Sequence, residues 1–446
     1  MEKFDVIVIG TGSGSGVATR CAKAGKKVAI VDHQAFGGTC ALRGCMPKKV
    51  LVAAARTLAL NEQLKGKSIE IPATSSWKDL IQFKKDITGP KTNETDSAFE
   101  EAGISAFHGR AKIIDANTVA VNGHILHGEK FVFANGAAPT KLSIPGEDLL
   151  IDSTAFMDME ELPQDILFVG GGYIAFEFAH IITRFGAKAT IVHQDDKPLN
   201  KFDAGLVKLL IKASEASGIK IILNAKVESI IREDKSLKVH AVKGNRKTTL
   251  STSVVVHAAG RSAEVNNMGL EKMNVSYNKK GIMVNDFMQS ISNENVYSCG
   301  DANDRGLPLT PVATKEGIVL TQNLSNGNHQ KIEYGHIPSN VFTIPSLALV
   351  GLTEQQAKEQ NLNYEVHFKE TTDWFSSRMV NETVSAFKIL VDKKTNQIIG
   401  AHLLGAHADE AINIFAIAMN AGVKATDLKK TIFSYPTMAS DILNML

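Results

Sequence analysis

The sequence has 446 residues, too many for one hydrophobic core, and at about 150 residues per domain it predicts about three domains. With 44% hydrophobic and 22% charged residues the composition is that of a folded globular chain, which excludes dominant disorder. A formal charge of +2, from 49 basic and 47 acidic side chains, gives no global electrostatic case for nucleic acid or an anionic membrane.

No apolar run reaches the roughly 18–20 residues that a membrane span needs. Four cysteines cannot make a secreted disulfide scaffold. The first apolar run, Phe4 to Ile9, reads as a strand rather than a signal peptide, so the expectation is a cytoplasmic enzyme. In such an enzyme a cysteine pair is more often chemical than structural.

Phe4-Asp5-Val6-Ile7-Val8-Ile9 reads as a buried parallel strand that enters the glycine cluster Gly10-Thr11-Gly12-Ser13-Gly14-Ser15-Gly16. A helix over 17–24 stops at Gly25, and Val28 to Asp32 returns as a second strand, completing a βαβ unit. A helix from Pro47 to about Leu64, another from about Lys78 to Thr88, and a β-rich stretch from Ala106 to Phe133 come next. The βαβ grammar then recurs: strand 166–169, turn Gly170-Gly171-Gly172, helix 173–185, strand 189–192. The two clusters start 160 residues apart, too far for a solenoid repeat, and read as two nucleotide-binding domains. Ala134 to Pro139 and Ile144-Pro145-Gly146 read as the crossover into the second domain, and Ala258 to Arg261 as the return. After the polar stretch from Asn326 to Pro338, strands are expected at 341–344, 384–392 and 398–404, then an apolar helix over 409–420. The expected domains are 1–146 and 266–335 for the first nucleotide, 147–265 for the second, and 336–446 at the C-terminus.

Gly10 and Gly12 match G-x-G, while Ser15 holds the third place of the pattern. Small residues there let N–H groups at a helix start approach a pyrophosphate. Asp32 lies 22 residues beyond Gly10 at a strand end, where a carboxylate can bond a ribose. The sharpest signal is Gly37-Gly38-Thr39-Cys40-Ala41-Leu42-Arg43-Gly44-Cys45-Met46-Pro47-Lys48. On a regular helix these two cysteines would be about 140° apart around the axis and about 7.5 Å apart along it, out of bridging reach. Gly44 and Pro47 therefore imply that Cys45 stands just ahead of a helix, with Cys40 in the preceding loop. The helix end, Lys48 and Lys49 should favour a Cys45 thiolate.

The chain at this point resembles the pyridine nucleotide–disulfide oxidoreductases, which include glutathione reductase, dihydrolipoamide dehydrogenase and mercuric reductase. The resemblance extends through Gly172-Tyr173-Ile174-Ala175-Phe176-Glu177, Ser298-Cys299-Gly300-Asp301-Ala302 and Leu309-Thr310-Pro311-Val312-Ala313. It continues through Phe342-Thr343-Ile344-Pro345 and Val350-Gly351-Leu352-Thr353-Glu354. It implies an α/β fold with two Rossmann-like domains, for FAD and NAD(P), and a C-terminal α+β dimerisation domain. Gly10, Gly12, Gly14, Asp32, Gly38, Thr39 and Gly136 would serve FAD, with Asp301 on the ribityl chain. Thr310, Pro311 and Ala313 would begin a helix at the flavin's pyrimidine edge. Cys40 would attack substrate and Cys45 would face the flavin in a charge-transfer complex. Lys48 and Glu177 would pair beside the flavin. Gly170, Gly172, Tyr173, Ala175, His193, Gly260 and Arg261 would serve the nicotinamide cofactor, with Tyr173 covering its pocket. The family is homodimeric, with an active site shared between subunits, and no metal ligand set is expected. Cys299 reads as a buried thiol, and Cys21 has no assigned role.

Ala175 in the third place of the second fingerprint is commoner in NADPH members of the family. Val192-His193-Gln194 lacks the acid that bonds a ribose hydroxyl and also the arginine of NADPH enzymes. His193, Lys197 and Lys201 favour NADPH, Asp195 and Asp196 oppose it, and NADH stays open. The family's C-terminal His-Pro-Thr-x-x-Glu is here Tyr435-Pro436-Thr437-Met438-Ala439-Ser440, followed by Asp441. A phenol with an ordinary pKa of about 10 donates a proton but is a poor base at neutral pH. The expected activity is reduction of a small-molecule disulfide, with Tyr435 as proton donor. The alternative is electron transfer to quinones, dioxygen or metal ions.

Overall fold

In the computed structural model, which describes residues 2–71 and 73–446, the first apolar run forms the strand Glu2–Ile9. Its last four residues are all buried, as a parallel strand with both faces covered requires. It pairs in parallel with Val28–Asp32 on one side and with His124–Phe133 on the other. Ser105–His108 and Val296–Ser298 extend this parallel sheet at its two ends. Thr118–Val121 and Lys112–Asp115 fold back antiparallel from the start of His124–Phe133. Helix Ser13–Lys23 packs against helix Thr310–Asn326.

Glu316 on the second of these helices is fully buried and holds the local structure together. Its carboxylate accepts from Tyr334 Oη at 2.7 Å, from the Gly300 N–H at 2.7 Å and from Asn303 Nδ2 at 2.8 Å. These bonds tie the helix to the turn Gly300–Ala302, which carries Asp301. Burial pushes the Glu316 carboxyl above its ordinary pKa, and the three donors oppose that rise.

The chain divides into two compact units. The first comprises Met1–Lys49, Gln82–Thr140 and Gly260–Tyr334, and the second Val50–Ile81, Lys141–Ala259 and Gly335–Leu446. In the second unit the strands Lys220–Ile222, Lys188–Val192, Asp165–Val169 and Val254–His257 form a four-stranded parallel sheet in that order. Helix Tyr173–Arg184, buried along most of its length, follows Asp165–Val169. A five-stranded antiparallel sheet spans the C-terminal region, with helix Ala408–Asn420 packed on Ser346–Gly351 and Ile398–Gly405. Within this unit Lys388 on the sheet bonds Asp203 at 2.8 Å, and Asp203 also caps helix Ala204–Ala216.

Three local expectations change. Gly89-Pro90 ends the helix Trp77–Thr88 as expected, but Pro90 then serves as N-cap of a further helix, Lys91–Glu101. The strand expected at 341–344 is Ser339–Val341 only. Pro345 has no N–H for a ladder, and Thr343 turns its hydroxyl to the Pro345 carbonyl. Ser346–Gly351 and the mostly exposed Tyr364–Glu370 complete the sheet. Among the described residues no helix is long and apolar enough to cross a membrane.

Replacing Glu316 by Ala strands three donors around the Asp301 turn. At about 1–3 kcal/mol for each buried group left without a partner, the chain should lose at least about 3 kcal/mol in denaturant unfolding. A loss below about 1 kcal/mol would show that the carboxylate does not hold the turn.

Candidate active site

The cysteine motif folds as two helices in succession, Gly38–Arg43 and Cys45–Gln63, with Gly44 between them at φ −149° and ψ −107°. Cys40 therefore lies on a short helix, not in the loop the sequence predicted. Gly44 breaks the run where an added Cβ would stand 3.0 Å from the Thr39 carbonyl oxygen. The break brings the thiols into each other's reach: both are free, and each acts on the other's acidity.

That influence polarises the pair. Cys45 falls to a pKa of about 6, first through the Cys40 thiol, then through Thr310 and the charge of Lys48, against burial. Thr310 Oγ1 stands 3.5 Å from Cys45 Sγ. Cys40 is pushed up, first through Cys45 and then by burial. The causes that lower Cys45 differ from those the sequence suggests. The partner thiol and Thr310 rank ahead of Lys48, and Lys49 has no resolved part.

The same unit offers a dinucleotide cradle. Gly10 has φ +105°, and an added Cβ there would lie 2.2 Å from the Ala134 carbonyl oxygen. Gly12, the N-cap of helix Ser13–Lys23, has no side-chain cap, so the first N–H groups of the helix keep their anion-binding role. An added Cβ on Gly38 would come within 2.3 Å of Gly12 Cα. Gly14 packs the helix on the strand, an added Cβ there meeting Val8 Cγ1 at 2.9 Å. The close-packing role of the third fingerprint position thus falls to Gly14, which explains why Ser15 is tolerated. Ser15 instead donates to the Thr11 carbonyl at 2.5 Å.

Asp32 accepts from the Thr11 N–H at 2.8 Å and the Gln34 N–H at 2.9 Å, which fixes its carboxylate at the strand end. Asp301 is half-buried, and no donor among the described residues reaches it. Burial pushes its carboxyl up, with Arg261 opposing. A half-buried carboxyl with free acceptor capacity suits sugar-alcohol hydroxyls. Helix Thr310–Asn326 begins at Leu309 without a side-chain cap. Glycine turn, ribose acid, unsatisfied carboxyl and open helix start together fit FAD. Gly136 has φ +72° and open space, and Ala313 packs under Gly300. Gly260 and Arg261 also belong to this unit, where Arg261 donates to the Ala137 carbonyl.

The second unit repeats the glycine device. Gly170 has φ +124°, and an added Cβ would lie 2.1 Å from the Ala258 carbonyl oxygen. Gly172 caps the helix without a side chain, and Ala175 is buried against the sheet. His193 packs its ring on the turn, 2.5 Å from where a Gly171 Cβ would stand, with Asp195 3.9 Å from its Nε2. Tyr173, the first residue of the helix, is half exposed. Glu177 is buried and accepts from the Phe342 N–H at 2.8 Å. Lys48 belongs to the first unit and Glu177 to the second. Tyr435 is 83% exposed, and its hydroxyl has no partner among the described residues. Cys299 is fully buried beside Ser13 at 3.6 Å, with burial pushing its thiol to about 12, which fits an inert thiol. Sequence reasoning missed Glu316 and the reach of Thr310 to Cys45. Both lie on the helix Thr310–Asn326, and only the fold brings them to the site.

Residues 4–317 match the pyridine nucleotide-disulphide oxidoreductase family, and residues 337–446 match its dimerisation domain. A glutathione reductase from Burkholderia cepacia is 32% identical over 99% of this chain and 98% of its own. A mercuric reductase from Bacillus cereus is 30% identical over 98% of this chain and 70% of its own. The solved Cu(II) complex of the HOCl-induced flavoprotein disulfide reductase RclA from Escherichia coli superposes with a TM-score of 0.89 at 28% identity. That likeness covers 100% of this chain and 99% of the other.

The order of influences on Cys45 gives a ranked test. Cys40→Ala removes the largest, and Thr310→Val a smaller one, so both should raise the Cys45 pKa from about 6, Cys40→Ala more. The pH dependence of Cys45 alkylation in reduced protein, mapped by mass spectrometry, measures this. A wild-type midpoint at the ordinary thiol value of about 8.5 would contradict the assignment.

Proposed function

The chain belongs to the pyridine nucleotide-disulphide oxidoreductase family, FAD-dependent NAD(P)H enzymes acting on sulfur groups, and from that premise we propose that it reduces a small-molecule disulfide through Cys40 and Cys45. What supports this is the pairing of two free cysteines across the Gly44 break, with Cys45 lowered and Cys40 raised by each other. FAD, when bound, supplies the electron pair of NAD(P)H to the dithiol. Gly10, Gly12, Asp32, Asp301 and the helix start at Thr310 would hold it.

As Cys40 Sγ attacks one sulfur of the substrate disulfide, its proton passes to Cys45. A Cys40–substrate disulfide forms, the substrate S–S bond breaks, and the first leaving thiolate takes a proton from Tyr435. Cys45 then attacks Cys40 Sγ, its proton goes to the second leaving thiolate, and the Cys40–Cys45 disulfide is restored. Two electrons leave the dithiol with one proton. The other proton comes from the Tyr435 side.

NADPH is the proposed donor: His193 on the Gly170 turn, with Lys197 and Lys201 nearby in sequence, offers donors for a 2′-phosphate, which Asp195 and Asp196 oppose. The glutathione reductase relatives support it. We take the working form to be a homodimer in which Tyr435 serves the partner's dithiol, as the match to the dimerisation domain supports. A dithiol that must be reduced to act suits the cytoplasm.

A second reading rests on Tyr435 standing where the disulfide reductases carry histidine. The mercuric reductase relatives and the Cu(II) held by the RclA structure point that reading toward metal ions as acceptors. Steady-state NADPH and NADH oxidation against disulfides, quinones and metal ions separates the two. Cys40→Ser should abolish disulfide turnover, and Tyr435→Phe should slow it by about 10²–10³-fold, the lower part of the range for a positioned acid. Wild-type turnover of metal ions or quinones but of no disulfide would favour the second reading.

A further inference from the structure

Arg43 stands between Cys40 and Cys45 in sequence, as the last residue of the short helix Gly38–Arg43, a place from which a cation favours a Cys45 thiolate. The fold turns it elsewhere. Its side chain reaches back eight residues, with Nη1 donating to the Ala35 carbonyl at 3.4 Å. The connection that holds Ala35 is fastened to the glycine turn on both sides of that residue. Thr11 donates its N–H and its hydroxyl to Asp32, at 2.8 and 2.7 Å, and the same hydroxyl accepts from the Gly37 N–H at 3.3 Å. The half-buried guanidinium is thereby carried toward the Gly10–Gly12 turn and the uncapped start of helix Ser13–Lys23.

We propose that Arg43 is a ligand of the FAD diphosphate, so that the arginine between the two cysteines serves the cofactor and not the thiolate. The proposal rests on the reading of this unit's glycine turn as the FAD site.

The charges around Arg43 point the same way. Burial lowers the guanidinium below its ordinary value, Asp32 opposes that, and Arg261 adds to it. Among the described residues no cysteine has a resolved influence on Arg43. Nor is Arg43 among the leading influences on Cys40 or Cys45, whereas Lys48 acts on Cys45. Arg261 in turn acts on Asp301.

Two guanidiniums that repel each other, one of them drawn partly out of water, mark a place made for an anion. Asp32 does not answer both, because its carboxylate is already engaged by Thr11 and Gln34. In FAD the diphosphate links the ribose that Asp32 is placed to bond to the ribityl chain that Asp301 is placed to bond. A cation acted on by Asp32 at one end and by Arg261, the neighbour of Asp301, at the other suits the stretch between them. A phosphate offers paired oxygens that a planar guanidinium meets with two parallel donors. The helix start at Gly12 supplies only partial charge there, and Arg43 adds a full one.

The test is how tightly the holoenzyme keeps its FAD, read from free flavin fluorescence on dilution. Arg43→Gln keeps a donor for the Ala35 carbonyl but loses the charge, so FAD should be held about 10- to 100-fold less tightly, the range for a hydrogen bond to a charged group. Arg43→Lys keeps a cation that binds phosphate and should recover most of that loss. The Cys45 alkylation midpoint should stay at about 6 in both variants. Should neither variant fold, the wild type still decides: phenylglyoxal labelling of Arg43 in FAD-stripped chain, mapped by mass spectrometry, should be suppressed by FAD and by ADP. FAD held equally tightly by Arg43→Gln and the wild type, or labelling that FAD leaves unchanged, overturns the proposal. Equal weakening in the Gln and Lys variants would assign Arg43 to packing, and a raised Cys45 midpoint with FAD binding intact would assign it to the thiolate; either result contradicts it. A wild type that takes up no FAD would instead remove the FAD reading itself.

Discussion

Two backbone positions that tolerate no Cβ underlie everything else in this chain. At Gly10 and at Gly170 the first strand of a nucleotide fold turns into its helix with positive φ. An added Cβ would lie 2.2 Å from the carbonyl of Ala134 in one case and 2.1 Å from that of Ala258 in the other. The same contact, made in each unit by residues unrelated in sequence, aims the uncapped start of a helix out of the sheet edge. A side chain at either position would push the turn off the neighbouring strand end. The anion-binding helix start would then be lost before any functional residue was touched.

On the first of these cradles the chemistry comes from a second local break. Gly44 divides what would be one helix into two, and the division turns an i, i+5 spacing that would hold the thiols apart into a pair that act on each other. The interaction works in both directions. It lowers Cys45 and raises Cys40. Thr310 and Lys48 add to the effect, and burial opposes it. The asymmetry is therefore a property of the pair rather than of either cysteine alone.

Local chemistry made much of this legible in the sequence. The buried β-branched strands, the two glycine turns and Cys40 and Cys45 are each signalled within about a dozen neighbouring residues. What stayed hidden depends on long-range contact. Thr310 reaches Cys45 across 265 residues of sequence, and Glu316 gathers donors from Gly300, Asn303 and Tyr334 around the Asp301 turn. The short helix carrying Cys40 was missed because two adjacent glycines read as loop, although Gly37 and Gly38 take up the positive φ values that start it. Ser15 looked like a defect in the fingerprint until Gly14 proved to do the packing. The helix Lys91–Glu101 is mostly polar, with Phe99 its one buried side chain, so it carries little apolar periodicity to detect.

The division of labour between the two sulfurs is most directly tested by absorption after anaerobic two-electron reduction of the holoenzyme. A thiolate beside oxidised flavin gives a broad long-wavelength band. The band should form in the wild type, stand without added reductant in Cys40→Ser, and be absent in Cys45→Ser. A band that persists in Cys45→Ser and is lost in Cys40→Ser would exchange the roles of the two sulfurs and contradict the account.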